Sequence, residues 1–201
     1  DCNKYKEIYK NSTIRFEHIA HCAEKSIYKD YKLEKNYDLF LCGALGIRTV
    51  LGVHYPLRER MLQVFRDMSP NYRCKVKGHP GYNHSDSYTN KYAIEFAEEI
   101  NSSKIAITCC GAPKTRFGKY IEIPMCHTAI AADIPDEDQE TFKDFVIEID
   151  NEMSDDEIKS KLIYYIENDK ERQELVNKGV EWSKEYTQEK YAERFFSAQT
   201  C

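Results

Sequence analysis

The stretch Gly111-Ala112-Pro113-Lys114-Thr115-Arg116-Phe117-Gly118-Lys119-Tyr120-Ile121-Glu122 offers three cationic side chains and a glycine ahead of a helical pattern. The apolar run Lys104 to Cys110 precedes it and a helix from about Lys119 to Cys126 follows, so the spacing predicts a strand-to-helix loop. The first N–H groups of a helix have no intrahelical partner, and its dipole favours negative charge there, so a diphosphate is the natural fit. Arg116 would clamp phosphate oxygens as a bidentate fork, and Lys119 would add a point charge. These two are the candidate catalytic cations. Glu122 lies one helical turn further in, placed to accept hydrogen bonds from ribose hydroxyls. The competing reading is a solvated basic loop in which Glu122 caps the helix or pairs with Lys119.

Short apolar runs alternating with longer amphipathic segments must position this loop. Tyr37 to Gly43, Tyr72 to Lys77, Lys104 to Cys110, Thr128 to Ala132 and Phe145 to Ile149 read as strands. Pro56 opens a helix with Leu57, Met61, Val64, Phe65 and Met68 on one face, and Tyr92, Phe96 and Ile100 mark another. Asp136 to Asp144 reads as a short helix or turn. From Ser154 the chain is helical: Ser154-x-x-Glu157 has capping-box spacing, Asn168-x-x-Glu171 repeats it, and Thr187 caps a last helix. This pattern predicts an α/β fold, a Rossmann-like doubly wound parallel sheet with C-terminal helices packed on it. Ligands of such sheets bind at the rim of carboxyl strand ends. Residues 1–36 read as a linker with a candidate first strand at Ile14 to Cys22, and residues 37–201 as the binding domain.

Composition excludes several classes. A chain of 201 residues with 41% hydrophobic and 31% charged residues has room for one substantial core, and no apolar run approaches the roughly 20 residues of a membrane span. Net charge is −5, so no global field attracts nucleic acid. The start lacks signal-peptide order and an initiating Met, which suggests a piece of something longer. Of eight cysteines none forms a C-x-x-C pair, and Cys42, Cys109, Cys110 and Cys126 sit in or beside apolar runs, which points to free thiols and a cytoplasmic setting.

Glu122-Ile-Pro-Met-Cys-His-Thr128-Ala-Ile, preceded by Phe117-Gly118, resembles the E-x-x-x-C-G-T-P-V segment of group 1 glycosyltransferases of GT-B fold, closest to the spore-maturation-type branch. Tyr37 to Gly43 followed by Tyr55-Pro56-Leu57-Arg58, Tyr92 to Thr108 with Asn101-Ser102-Ser103-Lys104, and Ile19-Ala20-His21 resemble further pieces of that branch, over roughly residues 15 to 197. The resemblance implies a donor-binding C-terminal domain that takes a nucleoside diphosphate sugar. It makes Glu122 the ribose ligand, Arg116 and Lys119 phosphate ligands, and Arg58 a second diphosphate candidate, with Phe117 and Gly118 among the substrate-binding residues. It implies transfer without a cofactor or divalent metal, and no D-x-D motif stands in a rim loop. The acceptor and any base would come from an N-terminal domain of about 160 or more residues. Two positions depart: the first Glu of the family's E-x7-E pair falls near Lys114-Thr115, and the glycine after the cysteine is His127.

His79, between Gly78 and Pro80, is a candidate contact to base or sugar, or an exposed turn histidine. His18, His21 and Cys22, or Cys109-Cys110 with Cys126-His127, lack the paired spacing of a structural zinc site. The alternative function is a non-catalytic Rossmann-like interaction or regulatory module. A receiver-type acidic cluster is missing after the first strand, where Gly43-Ala44-Leu45-Gly46 also lacks the G-x-G-x-x-G of dinucleotide enzymes.

Overall fold

The computed structural model describes residues 7–11, 13, 19–49, 52–78 and 91–199. Its centre is a parallel sheet of β1 (Tyr37–Gly43), β4 (Cys74–Gly78), β5 (Ser103–Ile107), β6 (Ala129–Ala132) and β7 (Val146–Glu148), in the order β4-β1-β5-β6-β7. Two-residue strands β2 (Arg48–Thr49) and β3 (Gly52–Val53) pair antiparallel in a separate small hairpin. Among the described residues seven α-helices accompany them: α1 (Pro56–Met68), α2 (Lys91–Asn101), α3 (Lys119–Met125), α4 (Gln139–Lys143), α5 (Asp155–Glu167), α6 (Asp169–Ser183) and α7 (Gln188–Gln199). The predicted doubly wound sheet is what the chain forms. Each of the five expected runs became a strand, with unchanged bounds for Tyr37 to Gly43 and shifts of up to three residues at the ends of the others.

Strand alternation sends side chains to two cores. Leu39, Leu41, Ile105, Ile107, Ala129, Ala131 and Ile147 face one side, where α1 and α5 bury Leu57, Met61, Phe65, Ile158 and Leu162. Phe40, Cys42, Ala106, Ile130 and Ala132 face the other, against Phe96 and Ile100 of α2, Tyr120 and Ile123 of α3, and Phe142 of α4. Ser154 forms the expected capping box with Glu157, but Asn168 makes no side-chain cap and α6 begins without one. Residues 14–18 of the candidate first strand lie outside the described residues; residues 19–22 form no strand, and a single bridge joins Ala23, just after them, to Thr187.

From β1 the chain moves out to β4 and then returns across β1 to β5, so winding reverses between β1 and β5. In sheets wound this way the crevice that takes ligands lies at that reversal, outside the carboxyl ends of the strands. The opposite edge is closed by ions. Asp38 at the start of β1 accepts from the Arg73 backbone N–H (2.9 Å) and from its guanidinium (3.3 Å), and pairs with Lys104 (3.0 Å). Burial alone would raise the Asp38 pKa, but the Arg73 and Lys104 contacts outweigh it and hold it at about 2. Lys35 donates to the carbonyls of Asn101 (2.5 Å) and His127 (3.1 Å) and to the Thr128 hydroxyl (3.3 Å), and burial pushes its pKa down to about 8.

The Asp38 shift fixes a stability dependence on pH. A carboxylate held below its ordinary value contributes stability that is complete above about pH 4 and lost as pH falls toward 2. Asp38→Asn is expected to cost about 2 kcal/mol at pH 7 and to remove much of that acid sensitivity, read from urea titrations between pH 2 and 7.

Candidate functional site

The crevice between β1 and β5 is built around a buried arginine. Tyr55-Pro56-Leu57-Arg58 turns into α1 with Pro56 at the first helical position, and this projects Arg58 over the end of β1. Its guanidinium donates to the Ala44 carbonyl (2.9 Å) and the Thr108 hydroxyl (3.2 Å) and lies 4.1 Å from the centre of the Tyr55 ring. Only 3% of the residue is exposed, and Nε is buried with no hydrogen-bond partner. Gly43 makes room: a Cβ there would sit 2.7 Å from an Arg58 terminal nitrogen, and its φ of +114° suits glycine. The family-based suggestion that Arg58 belongs to the site therefore has a geometric setting that periodicity alone does not reveal.

Lys119 and Glu122, three residues apart on α3, form an ion pair, with 20% and 15% of their side chains exposed. Burial opposes the Lys119 charge, yet the Glu122 carboxylate outweighs it and raises its pKa. The ammonium also lies 4.6 Å from the centre of the Phe96 ring. Gly118 lets the carboxylate fold back, since a Cβ there would come 2.9 Å from Glu122 Oε1. The Cys42 thiol, pushed up to about 11 by burial, has Lys119 and Arg58 acting against that rise, so both cations lie within electrostatic range of the end of β1. The pairing of Glu122 with Lys119 and the gathering of charges at the rim thus occur together.

Two features of the loop differ from expectation. Helix α3 has only seven residues, with Pro124 inside it, and the N–H groups of Tyr120, Ile121 and Glu122 already donate to the carbonyls of Phe117 and Gly118. Positive charge at the rim therefore comes from side chains more than from a helix end. Arg116, expected as a rim-facing fork, is 2% exposed and lies beneath the rings of Tyr186 (4.6 Å), Trp182 (5.6 Å) and Phe142 (6.0 Å). Asp138 faces it at 3.6 Å, and its backbone N–H donates to Glu137 (3.1 Å). Aromatic faces and an acid offset the charge of this guanidinium, although one of its terminal nitrogens is buried without a hydrogen-bond partner.

A residue the sequence did not single out fixes the loop. Asp133, 4% exposed at the end of β6, accepts from the Cys110 backbone N–H (2.8 Å), the Cys110 thiol (2.9 Å) and the Tyr120 hydroxyl (3.3 Å), and pairs with Lys114 (3.5 Å). Its place after the apolar run Ala129 to Ala132, on the ligand rim, was the available signal. Phe117 is half-buried against Tyr55 (ring centres 5.9 Å apart) and His54 (6.3 Å), and the Ala112 N–H donates to the His54 carbonyl (2.8 Å). The hairpin side of the crevice is thereby joined to the loop. His79 lies outside the described residues. Among the described residues no three His, Cys, Asp or Glu side chains are grouped to hold a metal ion, and no helix is long and apolar enough to cross a membrane.

Residues 56–197 match a family model described as glycosyl transferase-like. The chain belongs to this family. Its fold is that of several solved members of the wider class. Sucrose-phosphate synthase from Thermosynechococcus elongatus superposes with a TM-score of 0.65 at 10% identity, covering 98% of this chain and 55% of that one. The C-terminal domain of a glycosyl transferase group 1 family protein from Francisella tularensis gives 0.53 at 13% identity, covering 83% of this chain and 99% of that domain. A pneumococcal O-GlcNAc transferase, solved in complex with UDP and GlcNAc, gives 0.55 at 9% identity and covers 98% of this chain and 43% of its own. The chain thus spans about half the length of the sucrose-phosphate synthase and less of the O-GlcNAc transferase. A search of curated proteins gave no match.

Within this glycosyl transferase-like domain the family match runs from the proline that starts α1 into α7, so it includes Arg58, the loop 111–118 and the helix carrying Glu122. His127, where the resemblance expects glycine, has a φ of +52°, the left-handed value a glycine would take without strain. Asp133→Ala removes the acceptor of the buried Cys110 N–H and is expected to cost about 1–3 kcal/mol in urea denaturation. Amide exchange at Cys110 and in the following loop should accelerate with it, while exchange in β4 stays slow.

Proposed function

We propose that this chain is the donor-binding half of a glycosyltransferase and that the β1–β5 crevice takes the nucleoside diphosphate of a sugar donor. The observation that carries the reading is Arg58, a buried guanidinium with an unpartnered Nε beside the Lys119–Glu122 pair at the switch point. Arg58 and Lys119 meet the diphosphate, Glu122 accepts from the ribose hydroxyls, and Gly118 and Phe117 shape the approach. Arg116 holds the loop from beneath and acts on the ligand through it. Family membership and the likeness in fold to an O-GlcNAc transferase solved with UDP support the choice of ligand.

The chemistry follows from where charge grows. When the bond between the anomeric carbon and the diphosphate breaks, the leaving oxygen gains negative charge, and cations already fixed near it stabilise that state more than the ground state. In this reading Arg58 and Lys119 supply that stabilisation, and no divalent metal is needed. Acceptor recognition and any general base come from a second domain, so this chain binds donor but transfers little by itself. Its described cysteines are all free thiols, which favours a reducing, cytoplasmic setting.

Calorimetric titration with UDP, GDP and their sugars is the direct test. Binding is expected for one base series, unchanged by EDTA, and Arg58→Met or Lys119→Met should each weaken it about ten- to a hundredfold, as for loss of a charged hydrogen bond. Silence with every nucleotide, or indifference to both substitutions in folded protein, rejects the proposal.

A further inference from the structure

The crevice already contains an anion of its own. The Glu122 carboxylate engages Lys119, both side chains are mostly withdrawn from water, and Gly118 leaves the space in which the carboxylate lies. A phosphate arriving at Lys119 therefore meets an ammonium whose counter-charge is in place. Two anions beside one ammonium repel, and at this burial water screens them poorly. The Tyr28 hydroxyl also reaches this carboxylate, but one neutral donor does not replace an ammonium, so an incoming molecule displaces Lys119 from it most readily if it brings donors of its own. Two sugar hydroxyls do so. Bare phosphate and pyrophosphate carry few hydroxyl protons, and these come on groups whose net negative charge the carboxylate repels.

We propose that Glu122 is a specificity determinant of the crevice: as resident counter-ion of Lys119 it excludes free phosphate and pyrophosphate and admits diphosphates that carry a hydroxylated sugar. This rests on the nucleoside diphosphate reading above and adds to it what the site rejects. Arg58 does not discriminate, because its acceptors Ala44 and Thr108 are neutral and it attracts any phosphate alike. Selection is thus assigned to the Lys119–Glu122 pair and general attraction to Arg58. The rejected ions are abundant wherever nucleotides are used, so a crevice with two buried cations and no resident anion would be occupied by them.

The test compares the wild-type chain with Glu122→Gln and Glu122→Asp, using pyrophosphate and UDP (or GDP, whichever binds) as probes in calorimetry, with circular dichroism to verify folding. Glu122→Gln should bind pyrophosphate at least about tenfold more tightly than wild type while its nucleotide affinity falls, narrowing or inverting the preference. Glu122→Asp keeps the charge and should go on rejecting pyrophosphate, which separates charge from packing. Unchanged or weaker pyrophosphate binding by folded Glu122→Gln overturns the inference, even if nucleotide binds the wild type well. Pyrophosphate rejection equal in Glu122→Asp and Glu122→Ala also overturns it. If wild type binds neither nucleotide but Glu122→Gln gains pyrophosphate, counter-ion exclusion stands and the nucleotide reading falls.

Discussion

A guanidinium taken out of water needs acceptors or an anion, and the ends of β1 and β5 are arranged around that need. Arg58 receives a carbonyl from the turn after β1, a hydroxyl from the end of β5 and a tyrosine face from its own helix start, and one nitrogen remains unsupplied. Gly43 is required because any side chain would occupy the volume of the guanidinium. Thr108 is required for its hydroxyl oxygen, which accepts from the guanidinium at a position that otherwise continues an apolar strand. The reversal of winding between β1 and β5 is what brings these residues, distant in sequence, into one crevice.

The two rims of the sheet treat charge differently. At the amino edge Asp38 is matched by Arg73 and Lys104, and Lys35 by three oxygens, so every one of these charges is tied to another segment of the chain. At the carboxyl edge Lys119 has the Glu122 carboxylate, while Arg58 has only neutral acceptors and keeps an unpartnered nitrogen. The first set fastens strands together, and the second keeps hydrogen-bonding capacity in reserve. A depressed Asp38 pKa and a Lys119 held charged by Glu122 are the electrostatic expression of that division.

Much of the fold was legible because burial on both faces writes parallel strands as continuous apolar runs, and each run here stops at a glycine or charged turn. Tyr37 to Gly43 and Pro56 to Met68 matched their expected bounds for that reason. The β2–β3 hairpin was not legible, since two-residue strands have no period to read. Local spacing did place Lys119 and Glu122 on one turn, but it could not show Arg116 beneath Tyr186 and Trp182, some seventy residues further along the chain. Asp133 escaped notice for a similar reason: its partners Cys110 and Tyr120 belong to other elements.

The burial of Arg116 has a consequence for how the loop can work. A loop that presents Lys119 and Glu122 to a ligand must hold them within a narrow range of positions, and its own backbone is too short to ensure this. Here it is fastened on three sides: to the hairpin through the Ala112 bond to His54, to β6 through Asp133, and to the C-terminal helices through Arg116 and its rings. Arg116, ringed by aromatic faces and opposite Asp138, is committed to that fastening, so the proposed contact with an anion is assigned to Lys119 and Arg58. The cation of the loop with the strongest local sequence signal is thus the one the tertiary structure withdraws, and the site is defined by the cations left incompletely matched.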